Sequence, residues 1–145
     1  MTASPKLRTC LWYDKEGEEA ARLYVSILPG STIESRFAPD ESGPPLTVPY
    51  MALNGGPMFK HSPAASISVS TKDQAETDRL WNALVANGGA ESMCGWLTDR
   101  FGVSWQIVPE ALMRMLQDKD KAAAGRARDA MLKMRRIDIA ALERA

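Results

Sequence analysis

Apolar and polar positions change their period along this chain, and the changes mark out the elements. Residues 7–13 alternate, with Leu7, Thr9, Leu11 and Tyr13 set against Arg8, Cys10 and Trp12, which predicts a first strand ended by Asp14-Lys15-Glu16-Gly17. Over residues 18–28 the apolar positions Ala20, Ala21, Leu23, Tyr24, Ile27 and Leu28 take helical spacing, and Pro29-Gly30 stops them. A second strand is predicted over 31–38, a loop rich in breakers over 39–45 and a third strand over 46–53. Asn54-Gly55-Gly56-Pro57 reads as a turn, and 58–61 as a short fourth strand.

The same order then begins again. Residues 65–71 predict a strand, and Asp73 with Glu76 makes a capping box for a helix whose stripe is Leu80, Trp81, Leu84 and Val85, ended by Gly88-Gly89. Next come Trp96 and Leu97, a tight turn over Thr98-Asp99-Arg100-Phe101-Gly102 in which Gly102 takes a positive φ, and a strand over 103–108. Alternation puts Ser104, Gln106 and Val108 on one face of that strand and Val103, Trp105 and Ile107 on the other. Beyond Pro109 the pattern is helical: 111–117, then 120–134 with Ala123, Ala127, Ala130, Met131 and Met134 on one side, then a helix capped by Asp138. No sequence identity links the two halves; what repeats is the order of elements.

Composition narrows the partners. With 18 basic and 18 acidic residues the formal net charge is zero, so no global field steers the chain toward nucleic acid or an anionic membrane. The basic stretch over 119–136 has no reading motif beside it and is expected to be a solvated helix face. Cys10 and Cys94 lie far apart without metal spacing, which suits a reducing cytoplasm, and no run reaches the length of a membrane span or builds a secretory leader. The expected partner is a small molecule or another subunit.

The hairpin motifs Cys94-Gly95-Trp96 and Gly102-Val103-Ser104-Trp105-Gln106-Ile107-Val108-Pro109 carry a resemblance, together with Leu11-Trp12-Tyr13-Asp14, residues 51–57 and the tail over 131–142. On these the chain, from Lys6 to Glu143, resembles the PhnB-like branch of the glyoxalase/bleomycin-resistance/dioxygenase (vicinal oxygen chelate) superfamily, whose members often carry the name 3-demethylubiquinone-9 3-methyltransferase. The resemblance implies an α+β, glyoxalase-like fold of two βαβββ modules whose curved mixed sheets enclose a cavity, and a homodimer. The expected division is a glyoxalase-like domain over 1–109, with modules at about 5–61 and 65–109, and a C-terminal helical extension over 110–145.

Metalloenzymes of that superfamily place a His or Glu ligand on the first and fourth strands of each module. Carried onto this chain, those positions fall at Thr9, near Met51, at Ser66 and at Gln106. None is an imidazole or a carboxylate, so no metal site and no cofactor are expected. The function expected is metal-independent binding of a small, partly apolar molecule in the sheet cavity, lined by Thr9, Met51, Ser66, Ser68, Trp105 and Gln106. The alternatives are a metal-assisted lyase, isomerase or dioxygenase, for which His61, Glu91 and Asp99 are the remaining candidates, or the methyltransferase of the family name.

Each candidate also has a structural reading. Gln106 is either a ligand contact or a hydrogen bond to a neighbouring strand. His61, the only histidine, stands as a general base or as a surface residue at a strand end, with the second favoured. Cys94 is expected to be an inert, buried thiol, and Trp12, Trp96 and Trp105 are cavity walls or packing. Asp99 and Arg100 are expected to set the hairpin turn as solvated charges. A methyltransferase using S-adenosylmethionine would carry a Gly-rich turn after strand one, where this chain reads Tyr13-Asp14-Lys15-Glu16-Gly17.

Overall fold

The computed structural model describes residues 8–33 and 50–145, and the chain divides into two compact units after Lys60. In the first, β1 (Thr9–Tyr13) leads into α1 (Gly17–Ile27), and β2 (Tyr50–Asn54) pairs with β1 in parallel from Thr9↔Tyr50 to Tyr13↔Asn54. The strand predicted over 31–38 lies outside the described residues beyond Ile33, as does the one over 46–53 before Tyr50.

The junction of β1 with α1 is closed by Asn54. The helix has no side-chain cap of its own at Glu16; the Gly17 N–H donates instead to Asn54 Oδ1 at 2.7 Å, which satisfies one of the donors a helix start leaves open. A Cβ on Gly17 would stand 2.6 Å from that oxygen. Gly17→Ala, ordinarily favourable in a first turn, is therefore expected to cost about 1–2 kcal/mol by displacing Asn54. The denaturant midpoint measures it, and an unchanged midpoint would show that Asn54 does not hold the helix.

After Asn54 the chain curls over Trp12 instead of forming the strand predicted at 58–61. The indole N–H of Trp12 donates to the Gly56 carbonyl at 2.9 Å, Phe59 meets the ring edge-on with centroids 5.1 Å apart, and residues 58–61 carry no strand. A side chain at Gly55 would run into the Trp12 ring, and Gly56 has φ +90°. Aromatic packing and this turn outweigh the pull of four residues toward pairing.

The second unit has the full βαβββ order. β3 (Ser66–Thr71), α2 (Gln74–Val85), β4 (Ala90–Glu91), β5 (Trp96–Thr98) and β6 (Ser104–Pro109) form a sheet in the order β3-β6-β5-β4, with β3 and β6 parallel and the other pairs antiparallel. Asp73 caps α2 by accepting from the Glu76 N–H at 2.8 Å, while Glu76 Oε2 accepts from the Lys72 N–H at 2.8 Å, one residue before the position a reciprocal box would use. The stripe Leu80, Trp81 and Leu84 is at most 1% exposed and meets Leu97, Trp105 and Ile107 in the core.

Three further helices, α3 (Glu110–Leu116), α4 (Lys121–Met131) and α5 (Ile139–Glu143), complete this unit. Asp120 accepts from the N–H groups of Ala122 and Ala123, and Asp138 from that of Ala141, so α4 and α5 carry side-chain caps. Leu112, Ile137 and Leu142 form a core cluster, against which Val108 of β6 packs together with Met115, Met131 and Met134. The tail thus shares a core with the sheet. Among the described residues there are two sheets and no closed barrel, a mixed α+β architecture.

Candidate functional site

The open face of the second unit follows from the pairing register. Residues opposite each other share a face, so Ser66↔Ser104, Ser68↔Gln106 and Ser70↔Val108 lie on one side, with Trp96 joining through Trp96↔Gln106. On the other side lie Val69, Thr71, Trp105 and Ile107, which α2 covers. Ser68 and Ser70 are exposed, while Ser66, Trp96 and Gln106 are half-buried. Gln106 Nε2 donates to Ser66 Oγ at 2.9 Å, which fixes the amide in one orientation and turns its carbonyl oxygen and second N–H toward other partners.

The structure gathers Ser66, Ser68 and Gln106 from the residues expected in the site. Trp105 lies on the opposite face from Gln106: it is 1% exposed, and its indole N–H donates to Asp99 Oδ2 at 2.9 Å, so its place is in the core beneath the sheet. Thr9 and Met51 fall in the first unit on opposite faces of one sheet. Met51 pairs with Cys10, whereas Thr9 shares its side with Tyr13, which is 3% exposed beside α1. Met51 and Leu53, both exposed, share the apolar open face of that unit with Cys10 and Trp12.

Asp99 departs from the expected solvated charge. It is 2% exposed and accepts from the N–H groups of Phe101 at 2.9 Å and Val103 at 3.0 Å and from the Trp105 indole, while its own carbonyl takes the Gly102 N–H at 3.0 Å. It does set the turn, and Gly102 has the expected positive φ of +88°. Arg100 remains near the tip, with its guanidinium carbon 4.7 Å from the centre of the Phe101 ring. Ser70 joins the strip beyond the residues expected there; the alternation Ser66-Ile67-Ser68-Val69-Ser70 places it beside the other two serines.

His61 is half-buried in a segment without regular structure, so it does not end a strand. Cys94 is a half-buried free thiol at φ 59°, with its N–H donated to the Met134 carbonyl at 2.8 Å. From the basic stretch, Arg136 pairs with Asp78 at 3.2 Å and Arg135 with Glu91 at 3.7 Å, both at the surface. Among the described residues no three or more His, Cys, Asp or Glu side chains gather as metal ligands would, and no helix is long and apolar enough to cross a membrane. Neutral Ser and Gln oxygens are a donor set that does not fit a first-row divalent metal.

The sequence pattern of the family described as 3-demethylubiquinone-9 3-methyltransferase matches residues 5–108, most of the chain. The protein belongs to this PhnB-like family. Among solved structures of the family's fold, the PhnB protein of Bacillus cereus, which carries the same methyltransferase name, is 25% identical over 72% of this chain and 99% of its own, with a TM-score of 0.56. The protein PA1353 of Pseudomonas aeruginosa is 26% identical over 74% of this chain and 98% of its own, with a TM-score of 0.58. No curated protein matches. As a PhnB-like protein the chain has the glyoxalase-like α+β fold, and the region matched ends just where the C-terminal helices begin.

Proposed function

We propose that this PhnB-like protein binds a small, partly apolar molecule, without a metal, on the sheet face that carries Gln106. The observation that supports the reading is the neutral hydrogen-bonding strip: Gln106 oriented by Ser66 at 2.9 Å, with Ser68, Ser70 and Trp96 beside it on the same face. Such a strip offers donors and acceptors for a carbonyl or hydroxyl group and an indole for apolar surface, but no general base near neutral pH. Affinity would come from desolvating apolar ligand surface, at roughly 25 cal/mol per Å², and orientation from the amide. Ser66, Ser68 and Gln106 carry the proposal; Thr9 and Trp105, which lie on the helix sides of their sheets, do not. A homodimer in the cytoplasm is part of the same reading, in line with the PhnB-like resemblance and the two free cysteines.

The family name favours a second reading, a methyltransferase using S-adenosylmethionine. The residues do not fit that cofactor: the turn between β1 and α1 is Asp14-Lys15-Glu16, and the first helical N–H, that of Gly17, is already given to Asn54.

A thermal-shift screen of small aromatic and aliphatic carbonyl compounds and alcohols, run in chelator, tests the proposal. A compound at a hundred times its Kd is expected to add about 2.7 kcal/mol of stability. The double variant Gln106→Leu with Ser66→Ala should weaken that same compound about tenfold or more, as loss of an oriented polar contact does. Equal binding by the variant would remove this face from the account. Stoichiometric metal in the purified protein, or calorimetric binding of S-adenosylmethionine, would favour an enzyme instead.

A further inference from the structure

We propose that the segment leading into α5 from α4, residues 134–138, is a positioning device for Gln106 that acts through Gly95; this rests on the reading of the Gln106 face as the binding surface. Gly95 stands between the two. Its N–H donates to the Arg135 carbonyl at 2.7 Å, and its own carbonyl accepts the N–H of Ile107, the residue after Gln106, at 2.8 Å. The fit leaves no room for a side chain, since a Cβ on Gly95 would lie 2.8 Å from the Ile107 oxygen and 3.2 Å from Ile137 Cγ1, at a φ of +82°.

A second link runs through side chains. Ile137 is fully buried in the cluster against which Val108 packs, and Val108 alternates with Ile107 onto the side of β6 that carries Gln106. Both residues that follow Gln106 are therefore tied to the linking segment, Ile107 indirectly through Gly95 and Val108 through its side-chain packing.

The segment is itself anchored from α2. Gln74 donates from Nε2 to the Ile137 carbonyl at 3.0 Å and accepts the Ile139 N–H on Oε1 at 2.9 Å, a side-chain amide taking the place of a neighbouring strand. Arg136 adds an ion pair to Asp78 at 3.2 Å. The Gln106 to Ser66 bond is 2.9 Å and would be weakened by a shift of about half an ångström. Small displacements of β6 thus reach the amide directly, and Gln74, Gly95 and Ile137 become positioning residues for it.

The test follows the side-chain amide resonances of Gln106 in the full-length, nitrogen-labelled protein, with no ligand added. Gln74→Ala and Ile137→Ala are expected to move the Gln106 pair and to speed its exchange with solvent about tenfold or more through local opening, while Ile137→Val restores the native positions. Gly17→Ala, a destabilising change in the other unit, should leave the pair unmoved and so separates positioning from a general loss of stability. If Ile137→Ala does not fold, Gln74→Glu decides, because a carboxylate cannot donate to the Ile137 carbonyl. Unmoved Gln106 resonances in a variant whose Gly95 amide has shifted would overturn the proposal. Since no ligand takes part, that failure is distinct from a failure of the binding reading, which the thermal-shift screen tests.

Discussion

Asp99→Ala is expected to lower the stability of this protein by about 3–5 kcal/mol, a large part of the roughly 5–15 kcal/mol available to a domain. Three donors, the N–H groups of Phe101 and Val103 and the Trp105 indole, meet on one carboxylate that is 2% exposed. Alanine would leave them buried without an acceptor and open the hairpin at its turn. Asp99→Asn separates the contributions: its amide oxygen can still accept the two backbone N–H groups, but its NH₂ would face the indole N–H, donor against donor. An intermediate loss is therefore expected for asparagine. Thermal midpoints measure the series, with a drop on the order of 10 °C for alanine; a drop within experimental error would mean that the turn holds without its carboxylate.

Removal of residues 110–145 is expected to unfold the second unit rather than to release a passive tail. Ile137 and Leu112 are buried at 0% and 3% exposure and cover Val108, Gly95 gives its N–H to Arg135, and Gln74 holds Ile137 and Ile139. Losing two buried aliphatic side chains alone forfeits roughly 3–6 kcal/mol, and the opened backbone and side-chain partners add to it. Far-ultraviolet circular dichroism and a denaturant titration of the truncated chain check this. A cooperative transition near the native midpoint would show that the βαβββ sheet stands without the helices.

Binding on the Gln106 face and the bracing of Gln106 by the linking segment depend on the same few atoms but are separable. If Gln106 is held by the linking segment yet no compound binds, the strip is structural, and the glutamine serves only its serine. If compounds bind and the linking segment is without influence, the face works with β3 alone as its frame.

Much of the architecture could be read from alternation and capping. Ser104, Gln106 and Val108 against Trp105 and Ile107, Asp73 before α2, and the positive φ of Gly102 depend on neighbours two to four residues away, so local patterns carry them. The side of β1 that meets α1 was not legible in this way. Its strand is apolar on both sides, Leu11 and Tyr13 on one and Cys10 and Trp12 on the other, and the choice rests on Asn54 reaching Gly17 from thirty-seven positions away. That choice sends Thr9 toward the helix and leaves Met51 on the open face.

Asp99 was hidden for a related reason. A charged residue in a turn is normally solvated, and only the antiparallel pairing of β5 with β6 brings the Trp105 indole over it. The absent strand at 58–61 was decided by Trp12, which is remote in sequence and draws Gly56 and Phe59 to itself. By itself, then, the sequence determined the family, the strand-then-helix start of each unit and the neutral polar character of the Gln106 strand, because these follow from residue type and short-range spacing. Which faces are covered, which charge is buried and how the C-terminal helices brace β6 were decided by the tertiary structure, since each depends on contacts between residues that only folding brings within bonding distance.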